Sequence, residues 1–453
     1  MIKRNIIIPV FALLLSSCGV YTKYQRPDVA YDGLYQSGIA ADTTASFARL
    51  HWDELFTDPH LQVLIRCGLE TNTDLRIALL KVEEAQASLR TARLAYLPSA
   101  QLDAQGTVSS FDGGAATKTY NLGGSASWEI DIFGKLTNAK RGAIAALEQS
   151  EAYRQAVRAQ LIATIAESYY TLLLLDEQRA ITEETLASWD EYLRSLRALM
   201  RAGQADRSTV DQAEASRLSV QNSLTDILQQ ISETENSLSA LLGRMPGPVE
   251  RGNLREQTFP QELAIGVPFD LLTGRPDIRQ AEATLKQRFY LTNQARAAFY
   301  PSITLSGSVG WTNNGAAIAD PKGWLLQAIG SLVQPLFNRG VNRANLKIAK
   351  AQQEEALLSF RQTLLDAGVE VNDAVAQWQT ARAKITVDER RVERLQRVVE
   401  DIRLLMRHST TNYLEVLTAR QSLLSARLER SSDRQAEIRS IIALYHALGG
   451  GVD

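Results

Sequence analysis

The chain has 453 residues, of which 45% are hydrophobic and 22% charged, and 49 Lys and Arg residues oppose 51 Asp and Glu residues. The formal net charge of −2 excludes a protein that binds nucleic acid through a strongly basic surface. The length fits about three domains at roughly 150 residues each. However, all 12 prolines lie at or before Pro335, and none lies between Pro98 and Pro246. Such long stretches without proline predict very long helices instead of several compact domains.

The first predicted element is a lipoprotein signal peptide over residues 1–17. Lys3 and Arg4 precede an apolar run, residues 6–15, that is too short to span a bilayer. The run ends in Leu15-Ser16-Ser17-Cys18-Gly19, which resembles the site where a bacterial lipoprotein signal peptidase cuts. We expect Cys18 to receive diacylglycerol and a palmitate-type acyl chain. These chains would anchor the protein in a membrane, because each buried CH₂ contributes about 0.8 kcal/mol. An ordinary signal peptide that contains a cysteine is the alternative.

After a leader at residues 18–60, the chain contains an internal repeat. Asp74-Leu75-Arg76 recurs as Asp277-Ile278-Arg279, an offset of 203 (277 − 74), and Met200-Arg201 recurs as Met406-Arg407, an offset of 206 (406 − 200). A period near 200 residues indicates a duplicated half-fold rather than the short units of a solenoid. The predicted boundaries are 61–243 for the first repeat, 244–274 for a linker and 275–449 for the second repeat.

Each repeat is predicted to run helix, two strands, long helix, tight turn, helix. Apolar or tolerated residues recur at spacings of three and four from Val210 to Leu241, and a further stripe runs along 157–175. These spacings predict coiled-coil seams, and a helix with two stripes packs against two neighbours. A hairpin in a soluble bundle, the alternative, explains only one stripe. The expected helices span about 66–97, 139–202, 207–243, 275–299, 341–407 and 412–447, and the expected strands span about 99–111, 120–131, 302–312 and 325–337.

The predicted strands alternate strictly between apolar and small polar residues. Residues 302–311 place Ile, Leu, Val and Trp between Ser, Thr and Gly, and residues 121–130 show the same period of two. This pattern is typical of an outer-membrane barrel strand. Four strands cannot close a barrel, and a membrane-spanning sheet has no open edge, so several copies must share one sheet. A soluble amphipathic hairpin is the alternative.

The sequence contains no recognisable catalytic constellation. Cysteine occurs only at Cys18 and Cys67, the four histidines are scattered, and no Walker-type loop, GxSxG or HExxH motif occurs. We therefore predict no enzyme activity, no cofactor and no metal site. The many Asp and Glu residues do not by themselves decide for or against an enzyme that uses paired carboxylates.

Five separated segments carry a family resemblance that covers the chain from about residue 45 to the end. They are Trp52–Pro59, Asp74–Ala78, Leu241–Gly243, Arg275–Glu282 and Ala297–Ile303. The segments resemble the outer-membrane factor family, which is TolC-like, in its NodT-type lipoprotein branch. The resemblance implies a mainly α fold with a small β part: a homotrimer whose 12-stranded transmembrane β-barrel, four strands per protomer, continues into a periplasmic 12-helix α-barrel with an equatorial belt.

The resemblance also implies passive conduction, with a gate at the periplasmic helix tips. The turns at 201–206 and 407–412 are the expected tips, and the second turn lacks the glycine that relatives usually have there. The implied partners are a periplasmic adaptor protein and an inner-membrane pump, commonly of the resistance-nodulation-division type. The candidates for adaptor contact are Gly203, Gln204, Ser409 and Thr410.

In relatives, the helix after the second tip carries a Leu, an Asp and an Arg that close the pore. Here Leu414 is kept, but Thr418 and Gln421 replace the charged pair. An acidic ring, which attracts cations, must then come from other side chains. For each of the candidates named next, the alternative to a role in this ring is an ordinary carboxylate on a solvated helix face. The candidates are Asp206, Asp211, Glu214 and Glu415.

Two further functions stay open on the sequence. The same tunnel serves as the outlet of a type I protein-secretion system. A lipid-anchored coiled-coil scaffold without a pore belongs to a different class, and the alternating strand at 302–311 favours the duct over it. We expect an outer-membrane protein that is lipid-anchored and extends into the periplasm.

Overall fold

The structure is a computed structural model that describes residues 21–28, 50–259, 274–312, 324–407 and 413–452. Among these residues, a short helix lies in the leader, and the first repeat then has two helices, two strands and two longer helices. The second repeat has one helix, two strands and two longer helices in its described part. The leader helix is α1 (Trp52–Leu55), and the elements of the first repeat are α2 (Pro59–Thr71), α3 (Thr73–Leu94), β1 (Ser99–Ser109), β2 (Thr117–Ile130), α4 (Lys135–Arg201) and α5 (Arg207–Leu241). Those of the second are α6 (Pro276–Ala297), β3 (Ser302–Thr312), β4 (Trp324–Val333), α7 (Val341–Arg407) and α8 (Tyr413–Ala447).

Corresponding helices of the two repeats have identical lengths. Helices α3 and α6 have 22 residues each, α4 and α7 have 67 each, and α5 and α8 have 35 each. At 1.5 Å per residue, a 67-residue helix is about 100 Å long. The predicted duplicated, mainly helical fold with a small sheet is therefore confirmed.

None of the helices in the described residues is long and apolar enough to cross a membrane.

The helix expected over about 66–97 is divided at Asn72, which has extended backbone angles. The Asn72 side chain donates to the carbonyl oxygen of Leu241 at 2.9 Å and accepts from the Leu75 amide at 3.0 Å. It therefore ends α2, begins α3 and ties both to the end of α5. Sequence spacing missed this break because the apolar period continues on both sides of it.

The four strands form one antiparallel sheet in the order β1-β2-β3-β4. Apolar residues occupy one face, and one row across the sheet consists of Leu102, Gly124, Val309 and Leu326. On β1, β2 and β3 mostly small polar residues occupy the other face, where the neighbouring row consists of Gln101, Ser125, Ser308 and Gln327. Strand β4 also places Ile329 and Val333 on that face. Strands β1 and β4 each have one edge without a partner strand in the described part of the chain.

The chain forms two compact units, and each unit draws on both repeats. One unit comprises Met1–Ala30, Leu79–Tyr153 and Arg279–Thr363, and contains the sheet. The other comprises Tyr31–Ala78, Arg154–Ile278 and Leu364–Asp453. Each compact unit therefore contains parts of both repeats, and the predicted boundaries of the repeats stay a prediction.

The core of the second unit surrounds fully buried aromatic side chains. Tyr169 and Tyr170 lie edge to face on α4, and Phe56 follows α1. The Tyr169 hydroxyl donates to Asp58 at 2.6 Å and accepts from the Gly252 amide at 2.9 Å. Burial, reinforced by Asp58, raises the pKa of Tyr169, so its hydroxyl stays a neutral donor. This network attaches the linker between the repeats to the middle of α4.

Candidate functional site

The predicted first tip is a tight turn between α4 and α5. Gly203 has φ +72°, its amide donates to Met200 O at 3.0 Å, and the Gln204 amide donates to Leu199 O at 2.9 Å. These two bonds close the helix end, and the left-handed backbone at Gly203 is the reason for glycine at this position. Two of the predicted adaptor-contact residues, Gly203 and Gln204, thus lie at the turn itself.

A small hydrophobic cluster joins the three helices next to this turn. It contains Trp189, Tyr192 and Leu196 of α4, Val210 of α5 and Val416 of α8. The α5 members follow the predicted three-and-four spacing, so the coiled-coil seam is buried against α4 and α8. The beginning of α8, where the predicted gate residues lie, is therefore packed on α4 and α5 rather than isolated.

Three polar side chains reinforce the position of α8. The Tyr413 hydroxyl donates to Gln204 O at 3.0 Å, and the Tyr192 hydroxyl donates to Tyr413 O at 3.5 Å. Arg420 donates to the Ser188 carbonyl oxygen at 3.1 Å and stacks over the Tyr192 ring at 4.8 Å. Burial raises the pKa of Tyr192 to about 12, so its hydroxyl remains protonated near neutral pH.

The acidic candidates divide between α5 and α8, and all are accessible to solvent. Asp206 precedes α5 without a capping bond from its side chain, Asp211 lies 3.7 Å from Arg207, and Glu214 accepts from Arg197 at 2.8 Å. Glu415 lies in the first turn of α8. Within one chain, the described residues hold no group of three or more His, Cys, Asp and Glu side chains able to bind a metal ion. A ring made from these carboxylates needs more than one copy and stays a prediction.

The predicted gate residues of α8 lie on its exposed side. Leu414 is 55% exposed. The Thr418 hydroxyl donates to Leu414 O at 2.9 Å, and the Gln421 side chain is exposed. Ser409 and Thr410 lie outside the described residues.

Sequence reasoning missed Tyr192, Tyr413 and Arg420. Arg420 follows the buried Ala419, but a charged residue next to a buried position is ordinary on an amphipathic helix, so the local sequence does not mark it. The partner, Ser188, is 232 residues away in the chain, so no local pattern could have indicated it.

We predict that Arg420→Met will loosen the beginning of α8. The substitution keeps the apolar stem but removes the bonds to Ser188 and the stacking on Tyr192, for a loss of about 1.5–3 kcal/mol. Amide hydrogen exchange over 413–420 should therefore accelerate by about tenfold or more. The control Arg427→Met removes only an ion pair with the exposed Glu184 and should have a much smaller effect. Equal exchange in both variants would remove the role given to Arg420.

The leader that follows the predicted lipid site packs on the first unit. The Tyr21 ring occupies the space beside Gly134, where a Cβ would lie 2.1 Å from the ring, and Arg141 lies 5.7 Å from its centroid. Asn293 donates to Thr22 O at 3.3 Å. Cys18 itself lies outside the described residues, three positions before Tyr21.

The chain matches one protein family over most of its length. The family model described as "Outer membrane efflux protein" matches residues 64–244 and 267–450. The chain is 30% identical over 449 residues to the cation efflux system protein CusC of Escherichia coli K12, covering 97% of this chain and 98% of that protein. It is 29% identical over 464 residues to the probable outer membrane lipoprotein SilC of Salmonella typhimurium, covering 100% of this chain and 99% of that protein.

Among solved structures, the outer-membrane channel OprN superposes with a TM-score of 0.88 at 26% identity, covering 96% of this chain and 100% of that chain. The family resemblance that the sequence segments carry is thereby confirmed over nearly the whole chain. The chain therefore belongs to the outer membrane efflux protein family and is an outer-membrane channel component of an efflux system.

Proposed function

We propose that this protein is the outer-membrane duct of a tripartite efflux system, which conducts substrates passively and without catalysis. The observation that carries the proposal is the sheet, whose apolar face is exposed to solvent in the single chain. Leu102 of β1 is 88% exposed and Leu326 of β4 is 82% exposed. Monomeric soluble proteins seldom expose so large an apolar surface, whereas lipid covers such a face in a membrane.

Strand lengths also support a spanning sheet. The strands contain 10 to 14 residues, and a tilted transmembrane strand needs about 9–11. On β1, β2 and β3 the opposite face carries mainly Ser, Gln, Asn and Thr, which suit a water-filled lumen, while β4 adds Ile329 and Val333 to it. Asp103 adds one carboxylate to this polar face, where Ser125 donates to it at 3.1 Å.

The proposed assembly is a homotrimer. The four strands of the described residues leave two open edges, and unsatisfied edge amides and carbonyls are not tolerated in a bilayer. Three copies would supply 12 strands and close the sheet, while the helices would form a periplasmic 12-helix α-barrel. Family membership supports this number of copies.

The proposed partners are a periplasmic adaptor and an inner-membrane pump of the resistance-nodulation-division type. Membership of an efflux family and the similarity to an efflux system protein support them. The tip turn with Gly203 and Gln204 is the proposed adaptor contact, together with Ser409 and Thr410. Cys18 is the proposed lipid anchor, in line with the similarity to an outer membrane lipoprotein.

Planar-bilayer recording of the purified full-length protein tests this function. We expect insertion events with a small, steady conductance, from a species that migrates as a heat-modifiable trimer. A pore-free scaffold would give dispersed monomers or dimers and no current, which would contradict the duct. A type I secretion outlet would conduct equally, so co-purification with an ABC exporter instead of a resistance-nodulation-division pump would overturn the efflux assignment.

A further inference from the structure

Four chain segments connect the sheet to its helices, and all four meet the same end of the sheet. Helices α3 and α6 lead into the starts of β1 and β3, and α4 and α7 follow the ends of β2 and β4. The strand register places these four strand ends side by side. All four segments belong to the compact unit that contains the sheet.

These segments contain basic residues and no acidic ones, although the whole chain has 49 Lys and Arg against 51 Asp and Glu. The segments at 85–98, 132–147, 283–301 and 334–353 contain two, three, three and four Lys and Arg residues, and no Asp or Glu. We call these four segments the basic belt. Positive charge is therefore concentrated where the helices join the sheet.

The opposite end of the sheet shows no such excess of positive charge. The turn between β1 and β2, at 110–116, contains Asp112 and no Lys or Arg. The sequence between β3 and β4, at 313–323, contains one residue of each sign, Asp320 and Lys322. The two ends of the sheet thus differ in charge, and the difference calls for a partner at one end only.

Helix α7 carries the part of the basic belt with the most available charge. Arg343, Lys347 and Lys350 recur at spacings of four and three, so they form one stripe along the helix, and Arg339 lies in the turn before it. All four side chains are exposed, and none forms an ion pair with a described residue. Elsewhere in the belt, by contrast, Lys135 pairs with Glu129. The α7 charges are therefore left for an external anion.

Two exposed apolar side chains lie between strand β4 and this stripe. Leu336 is 91% exposed and Phe337 is 86% exposed. The chain thus runs from a strand of the proposed membrane sheet through an exposed apolar pair to a row of cations. This order suits a membrane interface, where apolar side chains enter the acyl region and Lys and Arg extend to the headgroups.

The other repeat indicates which side of α7 the stripe faces. Lys347 and Gly340 correspond to Arg141 and Gly134, each 206 positions earlier, and both glycines have positive φ. Tyr21 of the leader covers Gly134 and Arg141. A lipid-anchored leader approaches the sheet from its lipid side and not from the lumen, so this helix face is directed outward. On α7 the same face is open, because a Cβ at Gly340 would meet no described atom within 4 Å.

We infer that the basic belt binds the headgroups of anionic phospholipids in the periplasmic leaflet of the outer membrane. The inference rests on the proposed function, since only a membrane-spanning sheet brings headgroups to this end. Arg and Lys both bind phosphate, Arg with a planar fork and Lys as a point charge. Lys350, nine residues (350 − 341) after the start of α7, lies about 14 Å along the helix. The headgroup layer is roughly 5–7 Å thick and charges act over about 8 Å beyond it, so the whole stripe lies within reach.

The lipid selectivity of the full-length lipidated protein in vesicles tests this inference. The vesicles consist of phosphatidylcholine with a trace of spin-labelled phosphatidylglycerol or spin-labelled phosphatidylcholine, and electron spin resonance measures the fraction of each probe that the protein immobilises. At low salt we expect phosphatidylglycerol to be preferred about threefold. The triple variant Arg343→Gln, Lys347→Gln and Lys350→Gln should lose most of this preference. So should the unmodified protein at about 1 M NaCl, where charges act over only about 3 Å.

The matched control is the triple variant Arg390→Gln, Arg394→Gln and Arg397→Gln. These exposed arginines lie on the same helix at the same spacings of four and three, but 47 residues (390 − 343), or about 70 Å, further from the sheet. The control removes the same charge and should keep the preference of the unmodified protein. Equal selectivity in the two triple variants would overturn the inference, as would a preference that high salt leaves intact.

Two further measurements separate this inference from its alternatives. If the α7 variant keeps its lipid selectivity but loses binding to purified peptidoglycan sacculi, the partner of the stripe is a carboxylate polymer and the inference is wrong. An unmodified protein that conducts as a heat-modifiable trimer without preferring phosphatidylglycerol would remove the lipid site while the duct stands. A protein that neither forms a trimer nor conducts would remove the proposed function as well.

Discussion

Replacing Leu414 by serine is expected to raise the single-channel conductance in planar bilayers several-fold. Leu414 lies in the first turn of α8, with its side chain exposed although the neighbouring Val416 is buried. In the proposed trimer, three such side chains would narrow the tip with apolar groups, and a narrow apolar constriction resists wetting. Serine is smaller and hydrates readily, so the constriction should admit water and ions.

The matched control is Leu404→Ser, in α7. Leu404 is also 55% exposed and lies close to the C-terminal end of α7. This variant therefore makes the same chemical change near the second predicted tip. It should leave the conductance within the scatter of the unmodified protein. Equal conductance in the Leu414 variant and the unmodified protein would contradict a gate at Leu414, and the acidic candidates would then have to form the constriction alone.

The largest expected loss of stability comes from Arg275→Met at the start of the second repeat. The Arg275 side chain is 3% exposed and donates to Ala447 O at 2.7 Å, to both Asp277 oxygens and to Glu370 at 2.7 Å. Methionine fills a similar volume but leaves the buried carbonyl and the carboxylates without this donor. Because both carboxylates are partly solvated, we expect a loss of about 2–4 kcal/mol rather than the full cost of breaking a buried pair.

Thermal melting followed by circular dichroism at 222 nm should show this loss as a lower apparent Tm. The control Arg397→Met breaks an ion pair with Glu393 in which both side chains are more than half exposed, and it should cost less than about 1 kcal/mol. Equal melting of both variants would mean that the buried guanidinium does not hold the second repeat in place.

The Arg275 effect should also depend on pH in a defined direction. Burial alone would raise the pKa of Asp277, but hydrogen bonds and charge from Arg275 outweigh it and hold that pKa below its usual range. A lowered carboxyl pKa stabilises the fold fully above the unfolded value, about 3.9, and this stabilisation is lost as the pH falls through the folded value. The gap in Tm between the unmodified protein and Arg275→Met should therefore be smaller at pH 3 than at pH 7.

Periodic features of this fold could be predicted from sequence, and features set by distant side chains could not. The helix expected over 341–407 has those limits in the structure, because a long run without proline and a heptad pattern leave little choice. The break at Asn72 depends on Leu241, 169 residues away, and it was missed. Strand β4 ends at Val333 rather than near 337, since Pro335 has no amide to donate to a partner strand.

The same distinction between local and distant causes applies to the residues of the candidate site. The glycine turn at Gly203 was predictable because its backbone requirement is local. The links from Tyr413 and Arg420 to the first repeat join residues more than 200 positions apart, so only the folded chain shows them. The acidic candidates remain a prediction, since their side chains in one copy are solvated or bonded to nearby arginines.

The equal lengths of corresponding helices limit how this family member can change its reach across the periplasm. Helices α4 and α5 meet at the first predicted tip, and α7 and α8 flank the second, so a change in only one pair of helices would be expected to put the two predicted tips at different heights. Removing seven residues from each of these four helices would keep every apolar seam in phase and shorten the reach by about 10 Å. Natural or designed length variants should therefore come as matched sets of heptads, with insertions or deletions in both halves of the gene.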